Sequence, residues 1–191
     1  MVSLFEAKFK EWTEGKDPLQ ARISIYEHVR DIPYALVPEL NDPEKYVDIL
    51  RVERGSCTPK HFLLGNMYLR LGLLVLYVVY PFRWSEFADN YPSRLRRLAE
   101  EAPPGHHLAC KVEIEGRLVL VDATLDPVWA RYGFLVNLEW DGYSNTVLPM
   151  ELSGDEELYH PGEARLMKAS YSEKTLAFYR ELNAWLDARR V

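Results

Sequence analysis

Residues 54–80 read RGSCTPKHFLLGNMYLRLGLLVLYVVY, and the organisation of the whole chain turns on this stretch. Thr58-Pro59 pairs a good N-cap residue with proline at the first helical position. Phe62, Leu63, Leu64, Met67, Tyr68 and Leu71 follow at helical spacing and on more than one face, which predicts a central, mostly buried helix. Gly72 is its natural stop. Residues 73–80 are short, apolar and rich in Val and Tyr, so the chain switches there from helix to a buried strand. Cys57 stands directly before the helix start, where unpaired backbone N–H groups and the positive end of the helix dipole favour a thiolate.

Working outward, Leu4, Phe5, Phe9 and Trp12 predict a first short helix closed by Gly15. Asp17-Pro18 opens a second through Ile23, Ile25, Tyr26 and Val29 to Ile32-Pro33, and Asp42-Pro43 opens a third as far as Leu50. Residues 83–105 contain a polar helical run over 93–101 and end in Pro103-Pro104-Gly105, which reads as a surface insertion. Val112, Ile114, Val119 and Val121 alternate about Glu115-Gly116 and predict a hairpin. A second hairpin is expected to pair 134–140 with 143–148 across Asp141-Gly142. The tail, 172–190, carries Leu176, Tyr179, Leu182, Trp185 and Leu186 on one stripe and predicts a closing amphipathic helix. Helices followed by antiparallel strands indicate an α+β fold in one domain over 1–191, its core at about 20–150.

Composition narrows the function. The chain has 191 residues, enough for one domain with a real core, and a net charge of −6 from 23 basic and 29 acidic residues, the wrong sign for a nucleic-acid or anionic-membrane binder. Charged residues in the first twenty leave no secretory leader there, and the most apolar stretch, 71–82, is shorter than the roughly 20 residues a membrane span needs. The expectation is a cytoplasmic protein. Two cysteines, Cys57 and Cys110, exclude a disulfide scaffold and a thiolate-built zinc site, but either could be a nucleophile.

A thiolate that attacks a carbonyl needs a base to take and return a proton, and an acceptor to hold that base in the right tautomer. With a two-residue turn at Glu115-Gly116, Ile114 faces Arg117, so His107 faces Thr124 and Ala109 faces Asp122. His107 and Asp122 then share a face as diagonal neighbours, within reach of a hydrogen bond. His106 and Cys110 point to the other face, Cys110 beside Val112, Val119 and Val121. A three-residue turn would reverse that parity.

Arg54-Gly55-Ser56-Cys57 before a helix, an apolar strand after it, then His107 followed by Asp122-Ala123-Thr124, resembles the transglutaminase-like superfamily of papain-like cysteine enzymes. Ile32-Pro33-Tyr34 near the end of a preceding helix is similar to that family's lead-in. The resemblance spans roughly 20–125 and implies a papain-like core with Cys57 as nucleophile, His107 as general base and acid, and Asp122 as orienter. It implies no cofactor and no metal, and a peptide, protein or small amide as partner. Ala109 and Ala123 stand where many members have an aromatic residue and a proline. The spacing also looks like arylamine N-acetyltransferases, and a catalytically silent peptide-binding member is the reading from another class.

Other features have plainer readings. Cys110 reads as a small core hydrophobe and His61, inside the helix with no evident carboxylate partner, as structural. His28 and His160 read as surface residues, Arg94, Arg96 and Arg97 as a solvated helix face, and Asp155, Glu156 and Glu157 as a solvated loop. Trp84, Trp129 and Trp140 flank the candidate residues and serve either an acyl pocket or core packing.

Overall fold

The computed structural model of the chain describes residues 2–166 and 170–190. Three short helices lead in. Helix α1 (Leu4–Thr13) is capped by Ser3, and α2 (Pro18–Arg30) by a reciprocal capping box of Asp17 and Gln20 with Pro18 in its first turn. The third helix expected from Asp42-Pro43 is cut short. The Asp42 carboxylate accepts from the Glu44 N–H at 2.9 Å, an Asx turn that competes with helix propagation, and only a 3₁₀ turn (Tyr46–Asp48) and α3 (Ile49–Val52) follow.

Helix α4 (Cys57–Arg70) begins earlier than the Thr58-Pro59 pair implied. Ser56 is the N-cap residue, Cys57 lies in the first turn, and Pro59 is the third helical residue, harmless there because first-turn N–H groups have no intrahelical partner. Ser56 does not cap with its side chain; its hydroxyl donates to Asn41 Oδ1 at 2.9 Å. Gly72, at φ +86°, closes the other end with the paired Leu73-to-Tyr68 and Gly72-to-Leu69 bonds of a Schellman motif. A bridge between Tyr34 and Gly55 fixes where α4 starts. A Cβ on Gly55 would come within 2.6 Å of Ile49 Cδ1 and 3.0 Å of Pro59 Cγ, so a larger residue there would have to displace the Ile49 side chain.

Four antiparallel strands form one sheet among the described residues, ordered β3-β2-β1-β4. Strand β1 (Val75–Phe82) is followed by helix α5 (Ser93–Glu101), then β2 (Gly105–Ile114) and β3 (Arg117–Val121). The β2–β3 turn has Glu115 and Gly116 both at positive φ, and Ile114 pairs with Arg117 as the two-residue turn demands. Strand β4 (Glu157–Tyr159) pairs with β1, so of the acidic run expected as a solvated loop Asp155 and Glu156 are exposed loop residues and Glu157 opens an edge strand. Glu156 just before it bonds Lys111 and the Tyr80 hydroxyl, which clamps the edge to β1 and β2. Helix α4 packs on β1 and β2, burying Phe62, Leu64, Met67 and Tyr68 against Val75, Tyr77, Leu108 and Cys110. The class is α+β.

Two further expectations are corrected. The second hairpin is absent although its turn is present: Asp141 accepts from the N–H groups of Tyr143 and Ser144, and Gly142 sits at φ +79°. No ladder forms because the groups that would pair across the arms bond elsewhere. The Asn137 side chain takes both the N–H and the C=O of Val147 at 2.8 Å, and Arg30 takes the carbonyls of Asn137 and Leu138. Nor is 83–105 a surface insertion. Trp84, Tyr91, Leu95 and Ala99 are buried in a second apolar cluster with Phe178, Leu182, Trp185 and Leu186 of helix α6 (Glu173–Asp187). Among the described residues no helix is long and apolar enough to cross a membrane.

Candidate functional site

Asp122 is the first residue beyond the β2–β3 ladder, which ends at the Cys110–Val121 pair. Its Oδ2 lies 2.5 Å from His107 Nε2, with both side chains about 98% withdrawn from water. The hairpin register therefore brings together the two residues that the sequence placed as diagonal neighbours. The carboxylate is held further by the Thr124 N–H on Oδ1 at 3.0 Å, and the Asp122 N–H donates to Thr146 Oγ1 at 2.7 Å. Burial raises the Asp122 pKa, but the charge and hydrogen bond of His107 outweigh it and hold the carboxyl at about 2. Burial lowers His107, and the Asp122 charge and hydrogen bond, joined by Cys57, carry it up to about 10.

Cys57 heads α4 and is nearly buried. Burial pushes its thiol up; the hydrogen bond and charge of His107 and a backbone hydrogen bond from Leu108 more than reverse this, so the thiol lies below its ordinary 9.0. With Nε2 engaged by Asp122, Nδ1 is the ring nitrogen left for the sulfur. His107 thus draws the thiol toward the thiolate, the form in which sulfur is nucleophilic. Ser56 makes no side-chain cap to α4, whose first residues Cys57 and Thr58 carry N–H groups that lack an intrahelical acceptor.

The neighbours separate these residues from their rivals. His61 is fully buried, with Nδ1 on the Cys57 carbonyl at 2.8 Å and Nε2 accepting from the Ala123 N–H at 2.9 Å. That pattern fixes a neutral tautomer, and burial lowers its pKa to about 4, so it braces α4 against the Asp122 segment and has no nitrogen free to act as a base. Cys110 is wholly buried among Val112, Val119 and Val121, and burial drives its thiol well above the ordinary value. His106 is exposed.

Lys60 was missed altogether by the sequence reading. It is fully buried, and Nζ donates to the carbonyls of Arg30, Ile32 and Thr124 at 2.8, 2.8 and 2.7 Å. Three acceptors match the three hydrogens of an ammonium, so α4, the end of α2 and the Asp122–Thr124 segment are tied at one atom. Burial pulls its pKa down to about 7 against the upward pull of Asp126, Asp122 and Asp31. The signal was a charged Lys60-His61 pair inside an otherwise apolar helix. A second tie lies nearby, where Asp126 accepts from Arg190 and from the Tyr34 N–H.

A cleft of about 590 Å³ opens beside Cys57 and His107. Trp84 and Trp129 are packed in the second apolar cluster and also line the cleft, whereas Trp140 belongs to the main core and bonds the Ser144 carbonyl. The 83–105 segment contributes a wall through Trp84, Phe87, Tyr91 and Pro103-Pro104-Gly105. Among the described residues no three His, Cys, Asp or Glu side chains gather as a metal-ligand set. Compared with known proteins, the chain matches no family model, no curated protein and no solved structure.

Proposed function

We propose that this chain is a transglutaminase-like, papain-like thiol enzyme that cleaves or transfers an amide, peptide or ester acyl group through a thioester on Cys57. One observation carries the reading: the His107 ring is hydrogen-bonded to a buried Asp122 while it lowers the pKa of a cysteine at the head of a helix that borders a cleft. Cys57 gives its proton to His107 and its sulfur bonds to the substrate carbonyl carbon. The developing oxyanion is met by the Cys57 N–H, one of the open donors of α4. The carbon–nitrogen or carbon–oxygen bond then breaks, and the leaving amine or alcohol takes the proton from His107. Water or an amine attacks the thioester, surrenders a proton to the same imidazole and releases the thiol. Asp122 keeps the ring oriented and stabilises its charge throughout.

The test is acylation of the protein by thioesters of 2-mercaptoethanesulfonate, followed by intact mass. Wild type is expected to gain the acyl mass on Cys57, Cys57→Ala to gain none, and His107→Ala to gain it on the order of 10²-fold more slowly. Acetyl-CoA acting as donor, with transfer onward to an arylamine, would move the assignment to the acetyltransferase branch. No Cys57-dependent adduct with any thioester, together with peptide binding that survives Cys57→Ala, would overturn the proposal in favour of a silent binding protein.

A further inference from the structure

The cleft beside Cys57 has a distinctive lining. Among the described residues, beyond the Cys57–His107 pair and the exposed His106, Glu157 is its one residue of ionisable acidic or basic type other than tyrosine, and that carboxylate is bonded by the Tyr159 hydroxyl at 2.5 Å. Among the described residues no Lys, Arg or Asp borders it. Tyr34, Tyr171 and Tyr179 line the same cleft as Cys57.

The same lining holds polar atoms without partners. Trp129 Nε1, Trp185 Nε1 and Thr124 Oγ1 are buried and make no hydrogen bond among the described residues, although each side chain belongs to the cleft wall. Buried donors left unpaired carry a real free-energy cost, of about 1–3 kcal/mol each, unless an acceptor reaches them. Two are indoles, whose N–H can only donate.

Building on the thioester reading, we propose that the acyl group carried by Cys57 is uncharged and aromatic and bears a carbonyl oxygen as hydrogen-bond acceptor, the chemistry of a peptide residue with an aromatic side chain. A ring is favoured by stacked and edge-on contacts with the walls, worth about 0.5–1.5 kcal/mol per pair beyond burial. A charged acyl group would lose its hydration against a wall that, among the described residues, is mainly aromatic and aliphatic. The volume suits an aminoacyl group with a blocked nitrogen.

The experiment compares rates of Cys57 acylation by acetyl, succinyl, 3-phenylpropionyl and N-acetylphenylalanyl thioesters of 2-mercaptoethanesulfonate, so that one small non-aromatic leaving group is common to all. The 3-phenylpropionyl ester is expected to react at least about tenfold faster than the acetyl ester, since even one methylene in a fitted pocket changes rates about 10–200-fold. N-acetylphenylalanyl should be faster still and succinyl slowest. Phe87→Gln, a neutral change at a half-buried wall residue, should shrink the phenylpropionyl-to-acetyl ratio at least about threefold. Equal rates for acetyl and phenylpropionyl, or succinyl as the best donor, with Cys57 still acylated, would overturn this inference and leave the thiol mechanism standing. Failure of every thioester would remove both.

Discussion

The 2.5 Å contact between His107 Nε2 and Asp122 Oδ2 joins a strand residue to the residue at which its hairpin partner leaves the ladder. Burial of both makes the contact an ion pair that depends on geometry, because neither group has water to fall back on. Asp122→Asn keeps the shape and removes the charge. The His107 pKa should then fall from about 10, leaving less imidazolium beside Cys57, and acylation at neutral pH should drop on the order of 10²-fold. A pH series of acylation rates checks this; an unchanged profile would show that the carboxylate has no electrostatic part.

The same pair sets a pH window for stability. Asp122 is lowered from 3.8 to about 2, so its contribution is present above 3.8 and lost as pH falls through about 2. His107 is raised from 6.5 to about 10, so its contribution is full below 6.5 and lost as pH rises through about 10. Thermal midpoints should therefore decline at both extremes from a plateau between 3.8 and 6.5. Asp122→Asn should flatten the alkaline limb, which differential scanning calorimetry would detect.

Iodoacetamide separates the cysteines. Cys57 should alkylate below the pH at which an ordinary thiol reacts, while Cys110, enclosed by the core, should stay unlabelled in the folded protein. In His107→Ala the influences left on Cys57 are burial and the Asp122 charge, both of which raise its pKa, plus the Leu108 bond. Labelling should shift to higher pH. Peptide mapping of the alkylated sites gives the answer directly.

What could be read from sequence follows from how local each determinant is. The Glu115-Gly116 turn fixes register within two residues, and register alone delivers His107 to Asp122. The start of α4 was displaced because Thr58-Pro59 and Ser56-Cys57 are both acceptable helix openings, and the bridge from Tyr34 to Gly55 decides between them. The 83–105 segment looked polar because Arg94, Arg96 and Arg97 dominate it, yet Leu95 and Ala99, four apart, form a narrow stripe whose partner α6 lies far along the chain. What Lys60 ties together was not legible for the same reason: its three carbonyl acceptors come from Arg30, Ile32 and Thr124.

Lys60→Met would test that tie. Methionine fills similar space but leaves three buried carbonyls without their donor, at a cost of about 2–4 kcal/mol. The thermal midpoint should fall by roughly 4–12 °C. Because Thr124 loses its anchor two residues from Asp122, Cys57 labelling should also lose part of its advantage at neutral pH. A midpoint within a degree of wild type would show that water can replace the ammonium.

The apolar stripe of α5 makes the sharpest claim against an insertion. Leu95 is completely buried in the second cluster, which also holds Tyr91, Leu182 and Trp185. Leu95→Ala should therefore destabilise the fold by about 2–5 kcal/mol, as for a core leucine, whereas Arg96→Ala on the solvated face of the same helix should cost within about 0.5 kcal/mol. The second cluster also forms one wall of the cleft through Trp84, Tyr91 and Trp129. Loosening it should weaken the preference for aromatic over acetyl thioesters while iodoacetamide still finds Cys57. Urea unfolding of both variants, run beside the thioester panel, separates the two cases: equal stability losses would return 83–105 to the status of a dispensable surface segment.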